Sequence, residues 1–168
     1  MNTTSETDID TSALLDEIQD MLLGCDLFNN YAPAELCAIA RYFNITDMHK
    51  GEVIFREGDI GSFMCILIEG DITVLKSSLE EGNVFLASLR KGRTFGEMAV
   101  LDGERRSATC IAESNCSLLT LSKEALDRMM ADVPATAAKV VRTVAVSLSR
   151  RLRMADGKLV DRRTNNVL

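Results

Sequence analysis

The chain has 168 residues, 46% of them apolar and 26% charged, with a formal net charge of −6. This length suits one domain with a sizeable core, and the negative balance works against a nucleic-acid partner. No apolar run reaches membrane-spanning length, and the polar, acidic start MNTTSETDIDTS lacks a secretory signal pattern, so a cytoplasmic protein without a membrane partner is expected.

The five cysteines, Cys25, Cys37, Cys65, Cys110 and Cys116, form no C-x-x-C pair, and the single His49 has no cysteine close to it. A zinc site and a disulfide framework both need other patterns, so free thiols in a reducing compartment are expected. Charge is segregated along the chain. Residues 1–26 hold seven acids and no Lys or Arg, whereas residues 139–163 hold eight bases against Asp156 and Asp161. Such segregation predicts an acidic N-terminal arm and a basic C-terminal helix.

In chain order, residues 1–10 lack apolar content and predict a disordered acidic tail. Thr11 or Ser12 can cap a first helix carrying Leu14, Leu15, Ile18, Met21 and Leu22 at helical spacing and ending at Gly24. A second helix enters at Ala32-Pro33 and carries Leu36, Ile39, Ala40 and Phe43 on one face. These helices occupy residues 11–45. Residues 46–121 then read as short strands broken by turn signals. VIF (53–55), FMCILI (63–68), ITVLK (72–76), VFLASL (84–89), TCIA (109–112) and SLLTL (117–121) are the strands. Turns fall at Glu57-Gly58-Asp59, Glu69-Gly70-Asp71, Glu81-Gly82-Asn83 and Lys91-Gly92. Helices return over residues 122–156: Ser122 can cap a short one, and Pro134 sits in the first turn of a long last one running to about Ala155. Val141, Ala145, Leu148, Leu152, Ala155 and Leu159 recur at spacings of four and three, a helix–helix seam, with Val140 and Val144 on a neighbouring face. Residues 157–168 form a tail. The fold class expected is α+β: an antiparallel β-roll (a jelly-roll-like barrel) with N-terminal helices and a long C-terminal helix.

One segment interrupts the strands. Residues 95–109, FGEMAVLDGERRSAT, combine a glycine–acid pair with an arginine and two hydroxyls. Gly96 lets the backbone approach a ligand closely. A helical turn starting near Glu97 would aim N–H groups at an anion. Arg106 supplies a fork for a phosphate, Ser107 a hydroxyl, and Glu97 an acceptor for a sugar hydroxyl. Nothing resembles a catalytic constellation, and no enzyme activity, metal or cofactor is expected.

The segment resembles the phosphate-binding cassette of the cyclic nucleotide-binding domain family. Phe95, Gly96, Glu97, Ala99, Leu101, Arg106, Ser107, Ala108 and Thr109 match it, and Gly51, Gly58-Asp59 and Ile68-x-Gly70 fall where that family places its turn glycines. The likeness runs from about Leu27 to Asp156 and is nearest to the sensor domain of bacterial catabolite activator-type regulators. It implies that Glu97 accepts from a ribose 2′-hydroxyl and that Arg106 binds the cyclic phosphate. Ser107 and the backbone of Gly96 and Met98 complete the phosphate cradle. Val74 and Leu86 become walls of the pocket under base and sugar. The chain departs from the pattern in carrying Arg105 where many members have proline. Ala155 and Asp156 stand where the activator branch uses Thr-Ser against adenine. Asp156 can accept from the adenine amino group or from guanine N1 and N2, and cyclic AMP is favoured over cyclic GMP. The twelve residues after Asp156, GKLVDRRTNNVL, are too few for a helix-turn-helix. A stand-alone sensor is therefore expected, homodimeric through its last helix and acting on an effector protein. A truncated DNA-binding regulator and a ligand-free interaction module on the same fold are the alternatives.

Overall fold

A computed structural model describes the backbone of residues 6–80 and 82–165 and the side chains of residues 11–80 and 82–157. Two helices, α1 (Glu6–Leu23) and α2 (Pro33–Ala40), flank a short 3-10 turn at Asp26–Phe28. The strands are β1 (Asn44–Met48), β2 (Val53–Phe55), β3 (Phe63–Glu69), β4 (Ile72–Ser78), β5 (Gly82–Leu89), β6 (Thr94–Phe95), β7 (Thr109–Ala112) and β8 (Cys116–Ser122). A short helix, α3 (Glu97–Asp102), interrupts them, and α4 (Lys123–Asp132) and α5 (Pro134–Asn165) follow.

The strands form two four-stranded sheets, ordered β1-β8-β3-β6 and β2-β7-β4-β5, with antiparallel pairing throughout. This is the antiparallel roll with helices at both ends that the strand spacing predicts. The first sheet is covered on both faces, which explains the unbroken apolar run FMCILI in β3. Successive strand residues point to opposite faces. Met64 and Ile66 accordingly join a core with α1, α2, α4 and α5, while Cys65 and Leu67 join a second core between the sheets. Leu119 and Leu121 of β8 face the helices and Leu118 faces the other sheet by the same alternation. Ala137, Val140 and Val144 bury one stripe of α5 against the helix-side core.

Helix boundaries at both ends differ from the sequence reading. Helix α1 begins at Glu6, so Thr11 and Ser12 lie inside it rather than capping it. The disordered tail expected over residues 1–10 therefore does not extend past residue 5, and residues 1–5 lie outside the described region. At the other end α5 continues through Gly157 to Asn165, where a tail was expected. A single interior glycine costs only about 1 kcal/mol and no proline follows to break the helix. The side chain of Leu159, the last position of the seam, lies outside the described residues. Strand β1 (NITDM) has no fully buried residue and is held by its five-residue pairing with β8.

Candidate functional site

The segment 95–109 is built as a hinge between the two sheets. Phe95 ends β6 and packs in the inter-sheet core. Gly96 then turns the chain with φ +73°, and α3 starts at Glu97. A Cβ at position 96 would meet Arg106 Nη1 at 2.7 Å and the Phe55 ring at 3.0 Å. Both the left-handed backbone and the close approach therefore require glycine. The same holds sterically at Gly61, where a Cβ would stand 2.1 Å from the Ala99 Cβ and push α3 away.

The far arm of the segment is strapped to the turn after β2. Arg106 N donates to Asp59 O (2.8 Å), Gly58 N donates to Arg106 O (2.9 Å), and Arg105 Nη1 donates to Gly58 O (2.7 Å). This strap decides which arginine points inward. Arg105 spends its side chain on the turn and is exposed, while Arg106 is only 3% exposed. Lys76 of β4 adds a second strap, donating to Ser107 O (2.7 Å) and pairing with Glu57 (2.6 Å).

Arg106 lies between two rings, its guanidinium carbon 4.0 Å from the Phe55 centroid and 4.7 Å from the Phe63 centroid. Nη1 donates to Gly96 O at 2.7 Å. Burial pushes its pKa down, opposed by the nearby acids Asp59 and Glu97; a guanidinium so placed remains charged. Burial likewise raises the Cys65 thiol and lifts Cys110 to about 12, so both neighbours are neutral.

Glu97, 1% exposed, is held from an unexpected side. Arg151 of α5 donates Nη2 to Glu97 Oε1 and Nη1 to Thr94 O. Arg151 was not among the expected site residues. Its position carried a signal: it lies four residues before Ala155, hence on the same helical face as a position already assigned to the ligand. Among the described residues, the buried side-chain polar atoms without a partner are Thr94 Oγ1, Glu97 Oε2, Arg106 Nε and Arg106 Nη2. All four belong to this one site. Buried polar groups are almost always paired, so this cluster of unmet donors and acceptors is a set of hydrogen-bonding groups that a polar partner would satisfy.

The other expected residues are placed as follows. Ser107 is exposed, its Oγ 3.8 Å from Met98 Sδ, at the mouth of the segment. Val74 is buried in the inter-sheet core beside Cys110, its strand partner. Leu86 falls at a bulge in β5, between the pairs Val74–Ala87 and Leu75–Phe85, and is 60% exposed. Ala155 and Asp156 are exposed on α5 and make no hydrogen bond or ion pair with the cassette among the described residues; α5 meets it through Arg151 instead.

The fold agrees with what comparison shows. Residues 45–133 match the model of the cyclic nucleotide-binding domain, and the chain belongs to that family. It is a cyclic nucleotide-binding regulatory domain. Among its relatives, the cyclic AMP receptor protein of Thermus thermophilus is 33% identical over 136 residues, 81% of this chain and 61% of that protein. A cAMP-dependent protein kinase regulatory subunit of Mycosarcoma maydis is 28% identical over 67% of this chain and 22% of that protein. The crystal structure of a cyclic nucleotide-binding domain from Methylobacillus flagellatus superposes with a TM-score of 0.78 at 25% identity, over 88% of this chain and 83% of that one. The chain thus spans less than two thirds of the curated relatives' length.

Proposed function

We propose that this chain is a cyclic AMP sensor that signals by displacing α5. The observation that carries the reading is the set of buried, unpartnered atoms at the cassette. Arg106 Nε and Nη2 suit two oxygens of a cyclic phosphate, with the Ser107 hydroxyl and the backbone of Gly96 and Met98 around them. Glu97 Oε2 suits a ribose 2′-hydroxyl. Val74 and the exposed Leu86 would wall the base and sugar, with Ala155 and Asp156 closing over the base. No cofactor or metal is required beyond the nucleotide. Cyclic AMP is placed ahead of cyclic GMP, in keeping with two relatives whose names specify it.

The signal would pass through Arg151. A ligand hydroxyl at Glu97 changes the contact that ties α5 to the cassette, and a ligand shifts α5 only by its differential affinity for the two helix positions. Homodimerisation through α5 is supported by the exposure of Ala145 and Leu152 on the same helix whose Val140 and Val144 are buried. An effector protein would read the moved helix.

A thermal-shift and calorimetric panel of cyclic AMP, cyclic GMP and cyclic di-GMP tests the reading. Ligand at 100 times its dissociation constant should stabilise the fold by about 2.7 kcal/mol. No shift with any of the three removes the sensor, and a larger shift with cyclic GMP reverses the preference.

A further inference from the structure

Away from the cassette, a groove of about 430 Å³ runs between α5, the loop after α1 and the turn joining β5 to β6. One face of α5 lines it at spacings of three and four: Lys139, Arg142, Thr143, Val146, Ser147 and Arg150. Arg93 faces them from the turn, and Asn30 and Tyr31 from the loop. The groove therefore gathers four cations on a chain whose net charge is −6, against one acid, Asp26.

The four cations differ in their commitments. Lys139 is fully engaged, donating to both carboxylate oxygens of Glu35 (3.0 and 2.7 Å) and to Asn30 O (2.7 Å), and lying 4.2 Å from the Tyr31 centroid. Tyr31 and Thr143 are hydrogen-bonded to each other at 2.9 Å, and Thr143 Oγ1 lies 2.9 Å from Lys139 O. The side chains of Arg93, Arg142 and Arg150, by contrast, make no hydrogen bond or ion pair among the described residues. Asp26 is occupied by Asn29, whose Nδ2 donates to it at 3.3 Å. Three guanidiniums thus line one space with Asp26 as its one acid, so their mutual repulsion is only partly offset.

We propose that this groove is a second ligand site, distinct from the cassette, that takes a compact polyanion carrying two or more phosphates. Guanidinium forks match phosphate oxygens, and Ser147 adds a neutral donor. The volume sets the size. It lies within the range of small-molecule sites and is equivalent to a sphere roughly 9 Å across. A short phosphate chain presents several charges within that span, whereas an acidic peptide spreads its carboxylates over more surface. Because Arg142 and Arg150 lie on α5 and Arg93 on the turn before the cassette, such a ligand would clamp α5 to the roll. The proposal does not depend on cyclic nucleotide binding.

Isothermal calorimetry with inorganic tripolyphosphate tests it, with sodium sulfate at matched ionic strength as the control. Saturable binding at one site per chain is expected. Arg93→Gln, Arg142→Gln and Arg150→Gln should each weaken it about tenfold. Arg128→Gln, which removes an exposed charge outside the groove, and Arg106→Ala, which empties the cassette, should leave it unchanged. Far-ultraviolet circular dichroism checks that each variant is folded. ATP binding more tightly than tripolyphosphate would identify a nucleotide as the occupant; equal affinities would identify the phosphate chain alone. Absence of saturable heat, equal binding by sulfate, full retention in the three groove variants, loss in Arg106→Ala, or tighter binding of a poly-glutamate peptide would each overturn the proposal.

Discussion

Replacing Arg106 with methionine separates binding from stability. Methionine keeps much of the length and can lie between Phe55 and Phe63, but it removes the charge. In the free protein the guanidinium has one hydrogen bond, to Gly96 O, and two ring contacts. A hydrogen bond to a charged group contributes about 1.5–3 kcal/mol and each ring contact about 0.5–2. Against these stand two buried donors, Nε and Nη2, with no partner. Each leaves about 1–3 kcal/mol of desolvation uncompensated. The midpoints of the two sides nearly cancel, so Arg106→Met should change the stability of the free protein by no more than about 2 kcal/mol in either direction. In a chain of this size that is roughly 8 °C or less in the thermal midpoint. The added stability from cyclic AMP, about 2.7 kcal/mol at 100 times the wild-type dissociation constant, should vanish. Differential scanning fluorimetry with and without ligand reads both quantities. A loss above about 4 kcal/mol without ligand would show that Arg106 is primarily structural. A retained ligand shift would refute its role at the phosphate.

Gly96→Ala should destabilise the free protein by about 1–2 kcal/mol through its left-handed backbone. It should also abolish the ligand shift, because the new Cβ displaces Arg106; urea titration and fluorimetry measure the two effects. Arg151→Met leaves the buried Glu97 carboxylate without its cation and should cost about 2–3 kcal/mol, less than for a wholly buried pair because Arg151 is partly exposed. The double variant with Glu97→Gln should recover most of that loss in the same titration. Glu35 is held below its ordinary pKa by its hydrogen bond to Lys139, and Glu57 by its hydrogen bond to Lys76. A carboxylate with a depressed folded pKa contributes stability above the unfolded value, and that stability is lost as pH falls through the folded value. Thermal midpoints should therefore drop on acidification below about pH 4.5, and less steeply in Glu35→Gln and Glu57→Gln.

Much of this molecule is legible from order and spacing alone. Strand periodicity, turn glycines and the capping residues Ser122 and Pro134 are local signals, and they led to the antiparallel roll with helices at both ends. The glycine frame around Glu97 and Arg106 is also local, since a left-handed turn and a helix start depend on adjacent residues. Helix ends were less legible. The starts and stops of helices depend on the balance of weak terms, such as the tolerated Gly157 inside α5.

What only the tertiary structure decided are contacts between residues far apart in the chain. Arg105 and Arg106 are chemically equivalent neighbours; the family pattern singles out Arg106, but the contacts that turn Arg105 outward to Gly58 and bury Arg106 between Phe55 and Phe63 come from residues far away in the chain. Arg151 reads as one base in a basic helix until the packing of Val140 and Val144 sets the rotation of α5 and brings it to Glu97. Arg93, Arg142 and Arg150 read as scattered surface charge until that same packing gathers them around one groove. Sequence spacing states which chemistry is available, but the direction in which a long charged side chain points is set by the elements packed on either side of it.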